Sequence, residues 1–202
     1  MLKIRLMFLF TVFAIMVPAS VMAEGFADLY IGFAQSQEQD LSTTIGGTST
    51  DDKAEFQGDI SGGYRLGYWF EKMPVGIALD LSYFEQDIED LADLSVMAVS
   101  PLLMLKVPLH KSAEFPNGEW QPYVGAGMGF FMSELEPDGA GDKNEQSDWG
   151  LDARCGIKKF FQYNVALLIE YRYTQFTPEF DSEIDEFDLQ THHALFGVSV
   201  TF

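Results

Sequence analysis

The chain offers three histidines, His110, His192 and His193, a single cysteine, Cys155, and a surplus of carboxylates that leaves a formal charge of −19. Acyl transfer by a serine needs its hydroxyl within reach of a histidine whose ring a carboxylate orients. Metal binding needs several ligands converging on one point, yet His192 and His193 are adjacent, and adjacent strand residues leave on opposite faces. Cys155 has no second cysteine to pair with and reads as a small apolar side chain. The carboxylates, though many, show no ordered calcium-loop spacing. Gly125-Ala126-Gly127-Met128-Gly129 alternates inside a strand-like run and lacks the helix start that a phosphate cradle requires. These residues assign no metal, no cofactor and no catalytic group.

A second set of residues is more telling. Arg65, Asp80, Lys106, Asp152, Arg154, Glu170 and Arg172 each stand among small or polar residues on one parity of an otherwise apolar run. In Gly58 to Phe70 one parity holds Ile60, Tyr64, Leu66, Tyr68 and Phe70, and the other Asp59, Ser61, Gly63, Arg65 and Gly67. Val75 to Phe84 repeats the pattern, with Asp80 and Ser82 on the polar side. Period two means strands. Six further runs read the same way, near 26–36, 95–107, 121–133, 148–159, 164–176 and 188–202, which makes eight strands in all.

Long connections near 37–57, 85–94, 134–147 and 177–187 alternate with shorter ones near 71–74, 108–120 and 160–163. Most of the 31 acidic residues lie in or beside the long ones. Strands of 10 to 13 residues are long enough to cross hydrocarbon when tilted. Their apolar face is unbroken and aromatic, while the other face is glycine, serine and lone charges. That is an apolar exterior around a narrow polar interior, the reverse of a soluble barrel. The fold class predicted is all-β, an eight-stranded antiparallel up-and-down transmembrane β-barrel.

Charges in so narrow an interior must pair. A turn centred between Lys72 and Met73 predicts Arg65 opposite Asp80. One centred near Phe161 and Gln162 predicts Arg154 opposite Glu170 and Asp152 opposite Arg172. The lumen charge network is therefore expected to comprise Arg65, Asp80, Lys106, Asp152, Arg154, Glu170 and Arg172, with Gly125, Gly127 and Gly129 making room. A slip of one residue would turn the three arginines to lipid at roughly 2–4 kcal/mol each.

Residues 1–23 are expected to be a secretory signal peptide: Lys3 and Arg5, an apolar run from Leu6 to Val17, and Val21-Met22-Ala23 before the cut. Residues 24–202 then form the barrel domain. A charge of −19 with no basic stripe excludes nucleic acid as a partner.

The chain resembles the small eight-stranded outer-membrane barrels of the OmpA-like membrane domain and opacity-protein type, often called porin-like. The resemblance rests on the signal peptide, on Gln121-Pro122-Tyr123-Val124-Gly125-Ala126-Gly127-Met128-Gly129, on Glu170-Tyr171-Arg172-Tyr173-Thr174, and on His192-His193 leading into Gly197-Val198-Ser199-Val200-Thr201-Phe202. It implies a bacterial outer-membrane location and, as partners, membrane lipid, lipopolysaccharide and the barrel assembly machinery. It also implies that Gly197, Val200 and Phe202 are the C-terminal assembly signal. Lipid A deacylases of barrel type carry a histidine and a serine two apart on one strand; here the positions two after His192 and His193 are Ala194 and Leu195. The expectation is a monomeric, non-enzymatic envelope protein with a structural role or a surface role through its acidic loops, possible extracellular ligands included. The alternative is a small channel for ions or solutes, and a lipid-modifying enzyme ranks third.

Overall fold

A strand that alternates apolar and polar residues can bury only one face, and a closed ring of such strands leaves no backbone edge unpaired in lipid. The computed structural model of the chain describes residues 23–37, 39–45, 48–54, 56–70, 73–88, 92–137, 144–177 and 188–202. The segment expected to be a signal peptide, residues 1–23, lies outside the described residues except for Ala23, as do Glu89, Asp90, Lys143 and residues 178–187 of the acidic connections. Among the described residues there are ten strands: β1 (Ala23–Ser36), β2 (Gln39–Ile45), β3 (Thr48–Ala54), β4 (Phe56–Phe70), β5 (Val75–Ile88), β6 (Ala92–Lys106), β7 (Trp120–Pro137), β8 (Asn144–Gln162), β9 (Val165–Phe176) and β10 (Leu189–Thr201).

Eight of them close into an antiparallel barrel in the order β1-β10-β9-β8-β7-β6-β5-β4, with β4 returning to β1. The seam between the first and last strands sets Leu29 opposite Val198 and Ile31 opposite Phe196. At its end Gly25 and Phe202 exchange both backbone hydrogen bonds, each at 2.9 Å. The remaining pair, β2 and β3, forms a separate two-stranded sheet inside the connection expected to be a plain loop. Its sequence is threonine, serine and aspartate around Gly46-Gly47, a hairpin turn signal without an apolar face to announce strands.

Register follows the turns. Arg65 faces Asp80, as the turn between Lys72 and Met73 predicts. Between β8 and β9 the predicted register is wrong by two residues: Arg154 faces Arg172, Asp152 faces Thr174, and Glu170 faces Gly156. The turn sits at Tyr163-Asn164, and the pairing shifts between Phe160 and Gln162, so Phe161 drops out of the ladder. A bulge of this kind changes the count on one strand only.

Outside, the barrel presents Leu29, Ile31, Phe33, Leu103, Met128, Ile169 and Phe196, all exposed. Inside, side chains fill the lumen in tiers, as an eight-stranded barrel permits. An apolar tier of Phe26, Trp69, Leu102, Met104 and Tyr123 lies toward the end that carries Phe202 and the short turns. A second apolar tier of Ala34, Phe84, Leu94, Val96, Ala98, Phe131, Phe176 and Leu189 lies toward the long connections. Charged side chains occupy the level between.

Candidate functional site

Five strands supply the charged level, each from its inward parity. From β1 come Asp28 and Tyr30, from β4 Arg65, from β5 Asp80 and Ser82, from β8 Asp152, Arg154 and Lys158, and from β9 Glu170 and Arg172. Arg65 is fully buried, and its guanidinium grips Glu170 through Nη2 at 2.7 and 2.6 Å. Its Nε donates to Asp80 Oδ2 at 3.1 Å, and Nη1 lies 3.5 Å from Asp28 Oδ2. Arg154 donates through Nη1 to Asp80 at 2.8 Å and Glu170 at 3.3 Å, and through Nη2 to both oxygens of Asp152 at 2.8 and 2.7 Å. Arg172 donates to Asp152 at 2.8 Å and to the Ser82 hydroxyl at 2.6 Å.

Two tyrosines and a lysine complete the belt. Tyr30 donates to Asp80 at 2.8 Å and Tyr123 to Glu170 at 2.6 Å. Lys158 Nζ donates to Asp28 at 2.7 Å and to Ser199 at 2.9 Å. The cations of the belt are Arg65, Arg154, Arg172 and Lys158, and its anions Asp28, Asp80, Asp152 and Glu170. Four positive and four negative formal charges cancel. Charge-assisted, shared hydrogen bonds are what make such a group of ions tolerable away from water.

Space for the long side chains comes from glycine. A Cβ on Gly156 would stand 2.6 Å from the Tyr123 hydroxyl, and one on Gly125 3.2 Å from Arg154 Cγ. Six of the seven expected lumen residues, Arg65, Asp80, Asp152, Arg154, Glu170 and Arg172, meet in this belt. Lys106 is also inside the barrel but apart: its Nζ pairs with Glu24 at 2.6 Å and covers the Trp69 ring at 4.7 Å, beside the inner apolar tier. Parity gives the face of a strand, and Lys106 sits too near its strand's end to reach the belt. Lys158 and Asp28 share that inward parity and could have been found by it.

His193 and His192 do leave on opposite faces. His193 is buried above the belt, its Nδ1 sharing a hydrogen bond with Ser61 Oγ at 3.1 Å and its Nε2 one with Thr174 Oγ1 at 3.2 Å. The serine–histidine contact joins two strands that flank β1, so no search along one strand could reveal it. A hydroxyl, not a carboxylate, holds the far nitrogen. His192 lies on the exterior, bonded to the Tyr171 hydroxyl at 2.6 Å and to Gln37 Nε2 at 2.9 Å. Cys155 is exposed on the outer face. No group of three histidine, cysteine, aspartate or glutamate side chains able to hold a metal occurs among the described residues.

At the C-terminus Gly197 packs against the backbone of β1, where a Cβ would meet the Leu29 carbonyl at 2.1 Å. Val200 and Phe202 point outward, with Phe202 69% exposed.

Over residues 8–202 the chain matches the family model described as the outer membrane protein beta-barrel domain. Among solved structures it is similar to outer membrane protein OprG from Pseudomonas aeruginosa, at 15% identity and TM-score 0.69, covering 90% of this chain and 96% of that one. It is similar also to Neisserial surface protein A, at 17% identity and TM-score 0.61, covering 92% and 100%. The N-terminal β-barrel domain of Pseudomonas aeruginosa OprF aligns at 13% identity and TM-score 0.53, over 89% and 97%. These likenesses are of fold. No curated protein matches the sequence. The chain belongs to the outer-membrane β-barrel family, and its place is the bacterial outer membrane.

Proposed function

We propose that this member of the outer-membrane β-barrel family is a closed, non-enzymatic barrel that serves the cell envelope structurally and through surface interaction by its long acidic connections. The observation that carries the reading is the neutral charge belt between two apolar tiers, with Phe131 and Phe176 stacked at 4.4 Å in the outer one. A pore needs a continuous wetted path, whereas these tiers bring carbon to carbon across the lumen. His193, with both nitrogens on hydroxyls inside that packing, supports the non-enzymatic reading.

The test is single-channel recording of the refolded protein in planar bilayers. Silence at 100 mV is expected, and reproducible unitary steps would overturn the reading in favour of the small channel. One observation favours that second reading: both amide atoms of Gln86, Ser100 Oγ and Arg172 Nε are buried without a hydrogen-bond partner, the kind of group that water satisfies. As partners the reading takes membrane lipid with lipopolysaccharide, and the barrel assembly machinery through Gly197, Val200 and Phe202. The exposed aromatic end supports the latter.

A further inference from the structure

The outward face of β9 and β10 changes character at one height. From Phe202 the exterior positions run Val200, Val198, Phe196 and Ala194, and the next is His192. Ten residues of strand tilted by roughly 40° rise about 25 Å, the height of the apolar band of such barrels. His192 therefore stands where hydrocarbon gives way to headgroups, on the side of the long connections.

Here the side chains form a fixed shelf. Tyr171, 46% exposed, and Gln37 hold the two nitrogens of His192, and the His192 ring lies 6.0 Å from the Tyr171 ring and 5.4 Å from that of Tyr173. Tyr173 donates in turn to Gln175 at 3.1 Å. Rings pinned in this way lose little freedom when a ligand lies on them. Their surface combines apolar faces with hydroxyl, imidazole and amide edges. That is a chemistry suited to a sugar ring, which has C–H faces and a rim of hydroxyls and amides.

The charge pattern argues the same way. Among the described side chains, Arg65, Arg154, Arg172, Lys106 and Lys158 point into the lumen, and the exposed Lys111 and Lys159 lie at the short-turn end. Among the described side chains no cation faces outward at the level of His192, and the uncharged hydroxyl, imidazole and amide edges of the shelf match a sugar's hydroxyls and amides better than its phosphate.

We propose that Tyr171, Tyr173, His192 and Gln37 form a binding shelf for the amino-sugar headgroup of the glycolipid that fills the outer leaflet. This deepens the surface role proposed above. Its failure would leave the conductance result untouched, because retention of lipid and passage of ions are read separately.

The test uses the full barrel refolded in phosphatidylcholine nanodiscs doped with purified lipid A, followed by assay of lipid A retained per barrel after re-isolation. Wild type is expected to retain lipid A in at least stoichiometric amount, and Tyr171→Leu combined with His192→Leu to retain at least five-fold less. Tyr68→Leu, on the opposite girdle, should retain as much as wild type. Equal retention by the double variant, equal retention of phosphatidylglycerol by wild type, or loss of lipid A on adding EDTA would each overturn the proposal, the last in favour of cation bridging. If the double variant does not fold by heat-dependent gel mobility, Gln37→Ala decides: at least a two-fold loss supports the shelf, and no change overturns it.

Discussion

Arg154 and Arg172 face each other directly across β8 and β9, and Asp152 Oδ2 accepts a hydrogen bond from each, at 2.7 and 2.8 Å. Like charges set opposite one another on a sheet are destabilising. Here one carboxylate, two residues along the strand from Arg154, turns the repulsion into a bridge. The belt is thus organised by shared acceptors, with no ion confined to a single partner.

Replacing Asp152 with asparagine should therefore cost more than a lost hydrogen bond, because two buried guanidinium groups lose their common counter-ion. About 3–5 kcal/mol is expected. Equilibrium urea unfolding in lipid vesicles, followed by tryptophan fluorescence, reads it directly. A loss below about 1 kcal/mol would mean that water enters the belt freely.

Arg65 and Glu170 permit a sharper measurement. Arg65→Met and Glu170→Gln should each destabilise the barrel, and the loss in the double variant should fall well below the sum of the two single losses, since neither ion is then left without the other. Additive losses would show that the pair is not coupled.

Gly156→Ala tests the packing of the same belt. The added Cβ would meet the Tyr123 hydroxyl and the Ile169 carbonyl, each at 2.6 Å, and the latter is backbone that cannot turn aside. Overpacking of about 1–3 kcal/mol is expected. Tyr123→Phe in the same background should recover part of it, whereas a neutral Gly156→Ala would contradict the close approach.

Cys155 supplies a probe of the outer face. A nitroxide attached there should be relaxed strongly by oxygen, which concentrates in hydrocarbon, and weakly by a water-soluble nickel chelate. The reverse would place Cys155 in the lumen and invert the parity of β8.

Deleting Phe202 removes the last outward aromatic and both backbone bonds to Gly25. Outer-membrane yield should fall several-fold at unchanged transcript level. Normal yield would argue against an assembly role for Gly197, Val200 and Phe202.

Face and order are legible from period two alone, which puts Arg65, Asp80, Arg154 and Arg172 on inward parities. Height along the axis is not, because parity is blind to it. Parity alone therefore groups Lys106 with the network although it sits at the inner mouth, and it does not single out Lys158 and Asp28 as members of the belt. Turn position was legible only where the turn was plain. Phe161 looked like a turn residue and is a bulged one, which moved Arg154 and Glu170 out of direct opposition. Contacts between strands that are not neighbours, such as Ser61 with His193, depend on what the strand between them leaves open. Gly32 on β1 stands opposite Ser61 and Leu195, and with no side chain there the serine and His193, which is opposite Ala34, can meet across β1.

The cancellation of formal charge within the belt has an electrical meaning. A potential across a membrane acts on charge at about 2.3 kcal/mol per elementary charge per 100 mV. On Arg65, Arg154, Arg172 and Lys158 it pulls one way, and on Asp28, Asp80, Asp152 and Glu170 the other, so the bundle as a whole experiences no net force. Such a belt is indifferent to voltage. The excess of negative charge falls mostly in the stretches of sequence between the strands, and for charge outside a membrane it is ionic strength, not potential, that governs what approaches.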